Sequence, residues 1–235
     1  MSLADSTESA PEMDRSLREA LRRLPMFPLP NVVLFPHALL PLHIFEERYQ
    51  ALARDVLAGH HFLAISLLVS PEDAEPQEGG GSSRPPVQRI AGVGEVVMAH
   101  ELPDGRFNLV VRGRARIRID DELESDRPYR IITATELLDQ PASAPGDLLD
   151  ADQSLRALVG HLADAIPEGG ELLRQVVASQ ETPSELVDVL AAALVVDPGL
   201  RQRLLENRDV MKRIERVSAE VVAMTSRIGS TTQMN

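Results

Sequence analysis

The chain has 235 residues, 43% of them hydrophobic and 26% charged, with a formal net charge of −12. That is enough apolar material for one large domain or two small ones, and it excludes collagen, mucin and wholesale disorder. The absence of cysteine excludes a disulfide framework, a thiolate zinc site and a cysteine nucleophile.

The negative charge is concentrated. Residues 1–14, 71–83 and 139–152 each hold four acidic residues and no basic one, so these three stretches carry the whole of the −12. They are rich in Pro, Ser, Ala or Gly, as expected of tails, loops and linkers. The remaining body is neutral and lacks the general basic field of a bulk nucleic-acid binder. Nothing approaches the roughly 18 uninterrupted apolar residues of a membrane span. The acidic start is the opposite of a signal peptide's basic one, so a cytoplasmic location is expected.

Taken in chain order, residues 1–21 read as a flexible acidic tail, with helical character toward Leu17–Leu21. Residues 24–45 carry Pro25, Pro28, Pro30, Pro36 and Pro41 among almost wholly apolar neighbours. Proline neither donates to a sheet ladder nor continues a helix. The block therefore predicts short extended pieces joined by fixed bends and buried on most sides. Phe45, Tyr49, Leu52, Val56 and Leu57 recur at helical spacing, with Gly59 as the stop. On this pattern the Phe45 ring is expected between sheet and helix. Phe62–Val69 reads as a buried strand, and residues 70–89, with a glycine triplet and Pro85-Pro86, as a flexible loop.

A strand over Ile90–His100 and another through Phe107, Leu109 and Val111 flank Asp104-Gly105, a hairpin signal. The second strand continues with Ala115, Ile117 and Ile119 alternating against arginines, and Tyr129–Thr135 is a further strand. Helical patterns follow over Ala151–Ala165 and Glu171–Ser179. Thr182-Pro183-Ser184-Glu185 is a capping box with proline at the first helical position, and Asp197-Pro198 repeats the device. The last helix shows a stripe through Val210, Ile214, Val217, Val221 and Met224. The predicted organisation is a tail over 1–21, a β-rich domain over 22–138 with its loop at 70–89, a linker over 139–150, a helical subdomain over 151–226 and a C-terminal tail over 227–235.

This order of signals resembles the Lon N-terminal (substrate-binding) domain family. The match is carried by Leu24-Pro25-Met26-Phe27-Pro28-Leu29-Pro30-Asn31-Val32-Val33-Leu34-Phe35-Pro36, by Leu40-Pro41-Leu42-His43-Ile44-Phe45-Glu46 and Arg48-Tyr49, by the Leu102–Phe107 hairpin with the Gly113–Ile119 strand, and by Asp197–Val210. The resemblance implies an α+β fold: a PUA-like twisted six-stranded β-domain, a partly closed barrel with one helix, followed by a C-terminal α-helical bundle. In full-length Lon proteases this region helps recognise unfolded substrates and supports hexamer assembly. One departure is His37, where many relatives place a small residue or glycine. The chain is expected to stop where Lon continues into its ATPase. It has no G-x-x-x-x-G-K-[ST] loop, and its single lysine, Lys212, matches no Ser–Lys peptidase dyad.

The expected function is thus a non-enzymatic binding module for unfolded or extended polypeptide, or for a protein partner, with no cofactor. Phe27, Phe35, His43, Phe45 and Tyr49 are the candidate peptide groove, with core packing as the plainer role for the aromatic residues and a buried structural histidine as the plainer role for His43. Arg112, Arg114, Arg116 and Arg118 share one strand face by the period-two rule, a candidate basic face and the basis of an RNA-binding alternative. Sparse aromatic residues leave no stacking platform there, so a solvated, salt-bridged face is favoured and Arg116 is expected in solvent. Adjacent His60 and His61 point to opposite strand faces, so no metal site is expected. The last helix's stripe reads as core, with a homodimer seam as its other role.

Overall fold

A computed structural model describes residues 15–69, 84–166 and 168–232. The order is α1 (Arg15–Ala20), β1 (Leu24–Leu29), β2 (Leu39–Ile44), α2 (Glu47–Ala58), β3 (Phe62–Leu67), β4 (Ile90–Glu101), β5 (Phe107–Leu123) and β6 (Arg130–Leu137), then α3 (Pro145–Ala165), α4 (Gly170–Ala178), α5 (Pro183–Leu194), α6 (Pro198–Glu206) and α7 (Val210–Thr232). The fold is α+β, six strands followed by helices.

The strands order as β2-β5-β4-β3-β1-β6, and the long β5 also pairs with β6. Five strands thus make a circuit, while β2 pairs with β5 alone among the described residues. The sheet is partly ring-like and not a barrel. The prolines of β1 obey the ladder rule. Pro25 has only β6 beside it and Pro28 only β3, so each turns its missing donor to an unpaired side. The Asp104-Gly105 hairpin forms as expected, Gly105 taking a φ of 82° and donating to the Leu102 carbonyl.

Between β1 and β2 the proline-punctuated chain crosses the sheet at backbone contact. A Cβ on Gly113 would lie 1.9 Å from the Phe35 carbonyl oxygen, and one on Gly92 2.0 Å from that of Leu34. Only glycine lets the two backbones approach so closely. Leu34 and Phe35 then point into different cores. Leu34 joins Phe27, Tyr49, Leu52 and Val111 beneath α2, whereas Phe35 joins Leu155, Leu186, Leu190 and Val217 of the helices. A third cluster packs Leu17 and Leu21 against Phe62, Val93 and Ile117.

Several expectations change. Residues 15–20 of the predicted tail form α1, and Leu17, Ala20 and Leu21 are buried, because α1 caps the third cluster. Helix α3 begins at Pro145, inside the predicted linker, with proline serving at its first turn. Helix α7 runs on to Thr232, through much of the predicted C-terminal tail. Of the predicted loop, 70–83 lies outside the described residues, while Val87 bridges Leu68. The stripe on α7 is core: Val210, Ile214, Val217 and Val221 pack against α3 and α5. The capping box of α5 and the Asp197 cap of α6 are both formed. Among the described residues no helix is long and apolar enough to cross a membrane.

Candidate functional site

Strand β2 is the free end of the sheet, and its sequence explains why it tolerates that position. Leu40 and Leu42 turn inward onto the core beneath α2, and Leu39, Pro41 and His43 turn outward. Ala38 accepts from the Gly113 N–H at 2.9 Å, which starts the alternation with even-numbered polar groups directed at β5. Pro41 consequently falls where no donor is required, and it removes one from the open edge. The register carries the outward face across three strands. Pro41 stands opposite Val110 and Val110 opposite Met98, while His43, Asn108 and His100 form the next row. A bulge skips Val97, so Val97 and Met98 are both exposed where strict alternation would bury one.

The result is a set of exposed apolar side chains on the face that ends at β2, whose outer side is unpaired among the described residues. Leu39 is 59% exposed, Phe45 63%, Val97 46% and Met98 65%. Phe45 does not lie between sheet and helix: α2 starts only at Glu47, and Tyr49, Leu52, Ala53 and Val56 supply its buried face. Nor is His43 buried. It is exposed, hydrogen-bonded at Nδ1 to Asn108 Oδ1 at 2.7 Å, and its ring stacks on Phe45 with centroids 6.3 Å apart.

The other candidate groove residues lie elsewhere. Phe35 is fully buried in the helical core. Phe27 and Tyr49, with centroids 4.2 Å apart, line a cavity of about 170 Å³ together with Tyr129, Arg48, Arg84 and Arg130. Its cations are compensated, Arg48 by Glu46 and both Arg84 and Arg130 by Glu122. Burial raises the Tyr49 hydroxyl. Burial, and then its hydrogen bond to Asp55, push Tyr129 up to about 12.

The four arginines do not form one face. The β4–β5 ladder skips Arg114, and α5 and α6 cover the strand at Arg116. Arg114 pairs with Glu95 at 3.2 Å and Arg118 with Asp120 at 3.0 Å, both at the surface, and Arg112 is exposed. Arg116 is 3% exposed, which overturns its expected solvent position. It donates to Asp188 and, through Nε, to the Leu205 carbonyl at 3.0 Å. Arg213 lies 3.3 Å from the same Asp188 oxygen and donates to both oxygens of Asp139, at 2.6 and 2.9 Å. Two arginines and two aspartates thus join the sheet to α5 and α7. Nothing in this arrangement favours RNA binding.

Sequence periodicity does not reveal Val97, Met98 or this ion network. The one signal available is Asp188 itself, a charge set inside the apolar run Leu186-Val187-Asp188-Val189-Leu190. Among the described residues no group of three His, Cys, Asp or Glu side chains could hold a metal ion.

Comparison with known proteins agrees with the fold. The chain is 26% identical over 196 residues to a Lon protease of Dictyoglomus thermophilum and 29% identical over 203 residues to one of Geobacter metallireducens, each covering 83% of this chain. It spans about a quarter of the length of these relatives, 24% and 23%. The N-terminal domain of a Mycobacterium avium complex Lon protease superposes with a TM-score of 0.65 at 17% identity, covering 85% of this chain and 98% of that one. A Lon N-terminal domain protein from Xanthomonas campestris gives 0.55 at 22% identity, covering 84% and 97%. Residues 23–222 match the family described as the ATP-dependent protease La (LON) substrate-binding domain, and the chain belongs to that family.

Proposed function

We infer that this chain is a binding module for unfolded or extended polypeptide, and that the open edge of β2 with its outward apolar face is where the polypeptide sits. The observation that carries this is the coincidence of two features in one place. Among the described residues β2 has one unpaired side, it carries Leu39 and leads into Phe45, and its outward face continues across β5 to the exposed Met98 on β4. Backbone pairing supplies affinity that does not depend on sequence, and an apolar face rewards any chain with large apolar side chains. Both suit a ligand defined by being unfolded. Membership of a substrate-binding family supports the same reading.

The test is titration of a fluorescently labelled, permanently unfolded polypeptide into wild type and into Leu39→Asp and Met98→Asp variants. Both positions are exposed, so the variants should fold. Affinity should fall at least about tenfold in each, as placing a charge in an apolar contact costs more than 1.4 kcal/mol. Wild-type binding should change little with salt, unlike contacts to a phosphate backbone. Unchanged affinity in both variants would remove the polypeptide from this face.

A further inference from the structure

A groove of about 640 Å³ lies at the N-terminal end of β2. Ala38 and Leu39 form one side and residues of α4 and α5 the other, and Arg112 lines it. Arg112 stands opposite Leu39 in the β2–β5 register. It is exposed and makes no ion pair with the described residues, whereas Arg114 and Arg118 on the same strand are matched to carboxylates. A guanidinium fork without a partner beside an apolar contact is a ready carboxylate receptor.

A chain that adds antiparallel to β2 brings its C-terminal end to the N-terminal end of β2, which is this groove. The far wall limits what that end carries. Glu185 accepts the N–H groups of Glu181 and Thr182, at 2.9 and 3.3 Å, and Glu181 adds a second negative charge. A run of acidic side chains would be repelled there, while one carboxylate on the Arg112 side is not. We propose that the module prefers polypeptide C-termini: the last residues pair antiparallel with β2, an apolar side chain lies on Leu39, and the free terminal carboxylate meets Arg112. This rests on the reading of the β2 edge as the polypeptide site.

The test uses a short, uncharged, apolar peptide labelled at its N-terminus and prepared as free acid and as C-terminal amide. Fluorescence anisotropy is measured against the full chain and against Arg112→Gln, an exposed substitution. Wild type should bind the acid about tenfold more tightly than the amide, as one charge-assisted bidentate contact provides. Arg112→Gln should bind both forms equally, with the affinity wild type has for the amide. Equal binding of acid and amide by wild type would overturn the C-terminal preference and leave the edge reading standing. A preference that survives in Arg112→Gln would overturn the role of Arg112. If neither peptide binds and Leu39→Asp is also silent toward unfolded polypeptide, the edge reading fails and this proposal with it. A concentration-dependent dimer dissolved by Leu39→Asp would make a second copy the occupant and overturn it as well.

Discussion

Replacing Arg116 with alanine should be among the most damaging single changes to this protein, and replacing Phe45 among the mildest of the large apolar ones. Arg116 is 3% exposed and Asp188, which it serves, is 1% exposed. Without the guanidinium, Asp188 keeps only Arg213, whose Nε lies 3.3 Å from Oδ1, and the Leu205 carbonyl loses its donor. Removing one member of a buried ion pair costs about 3–5 kcal/mol, because the other charge stays buried and under-compensated. The orphaned carbonyl adds about 1 kcal/mol. Against a total stability of about 5–15 kcal/mol, the variant would sit near the folding threshold. Phe45 is 63% exposed, so Phe45→Ala should change stability by about 0.5 kcal/mol or less. Urea denaturation of both variants, compared at equal m-value, gives the ranking. The double variant Arg116→Met/Asp188→Leu separates charge from packing. It removes a positive and a negative charge together and leaves Arg213 on Asp139, so most of the loss should be recovered. An Arg116→Ala variant within about 1 kcal/mol of wild type would refute the network as the joint between sheet and helices.

Gly113→Ala should be severely destabilising, about 3 kcal/mol or more as with overpacking against rigid backbone, because its Cβ would meet the Phe35 carbonyl at 1.9 Å; thermal unfolding measures it. His37 is held at a φ of 64°, in the left-handed region, so His37→Gly should raise stability by up to about 1 kcal/mol while His37→Ala should not, as read by denaturant midpoints. Tyr129 titrates near 12 in the folded state against 10.0 ordinarily. A raised value means its stabilising contribution is complete below the lower figure and disappears as pH climbs through the higher one. Alkaline unfolding curves should therefore steepen across that window in wild type and flatten in Tyr129→Phe.

Local chemistry was enough to read much of this chain. Thr182 and Glu185 cap α5 because a hydroxyl and a carboxylate three residues apart satisfy each other's backbone donors, a relation that needs no tertiary partner. Asp104-Gly105 turns the hairpin for a similar reason, since glycine takes the left-handed conformation at no steric cost. The proline-punctuated block and the inward set Phe107, Leu109 and Val111 follow from missing donors and a period of two. Two kinds of fact lay beyond that range. Whether a strand face meets water depends on what later elements cover it, and α5 and α7, more than 60 residues downstream, close over Arg116 while leaving Arg112 bare. Which strand is left with an open side depends on the pairing of β5 with β6, which closes the circuit and leaves β2 outside it. Alternation in the sequence tells opposite faces of a strand apart. Only the long-range packing decided which face became core, which became an ionic joint, and which was left to meet a partner.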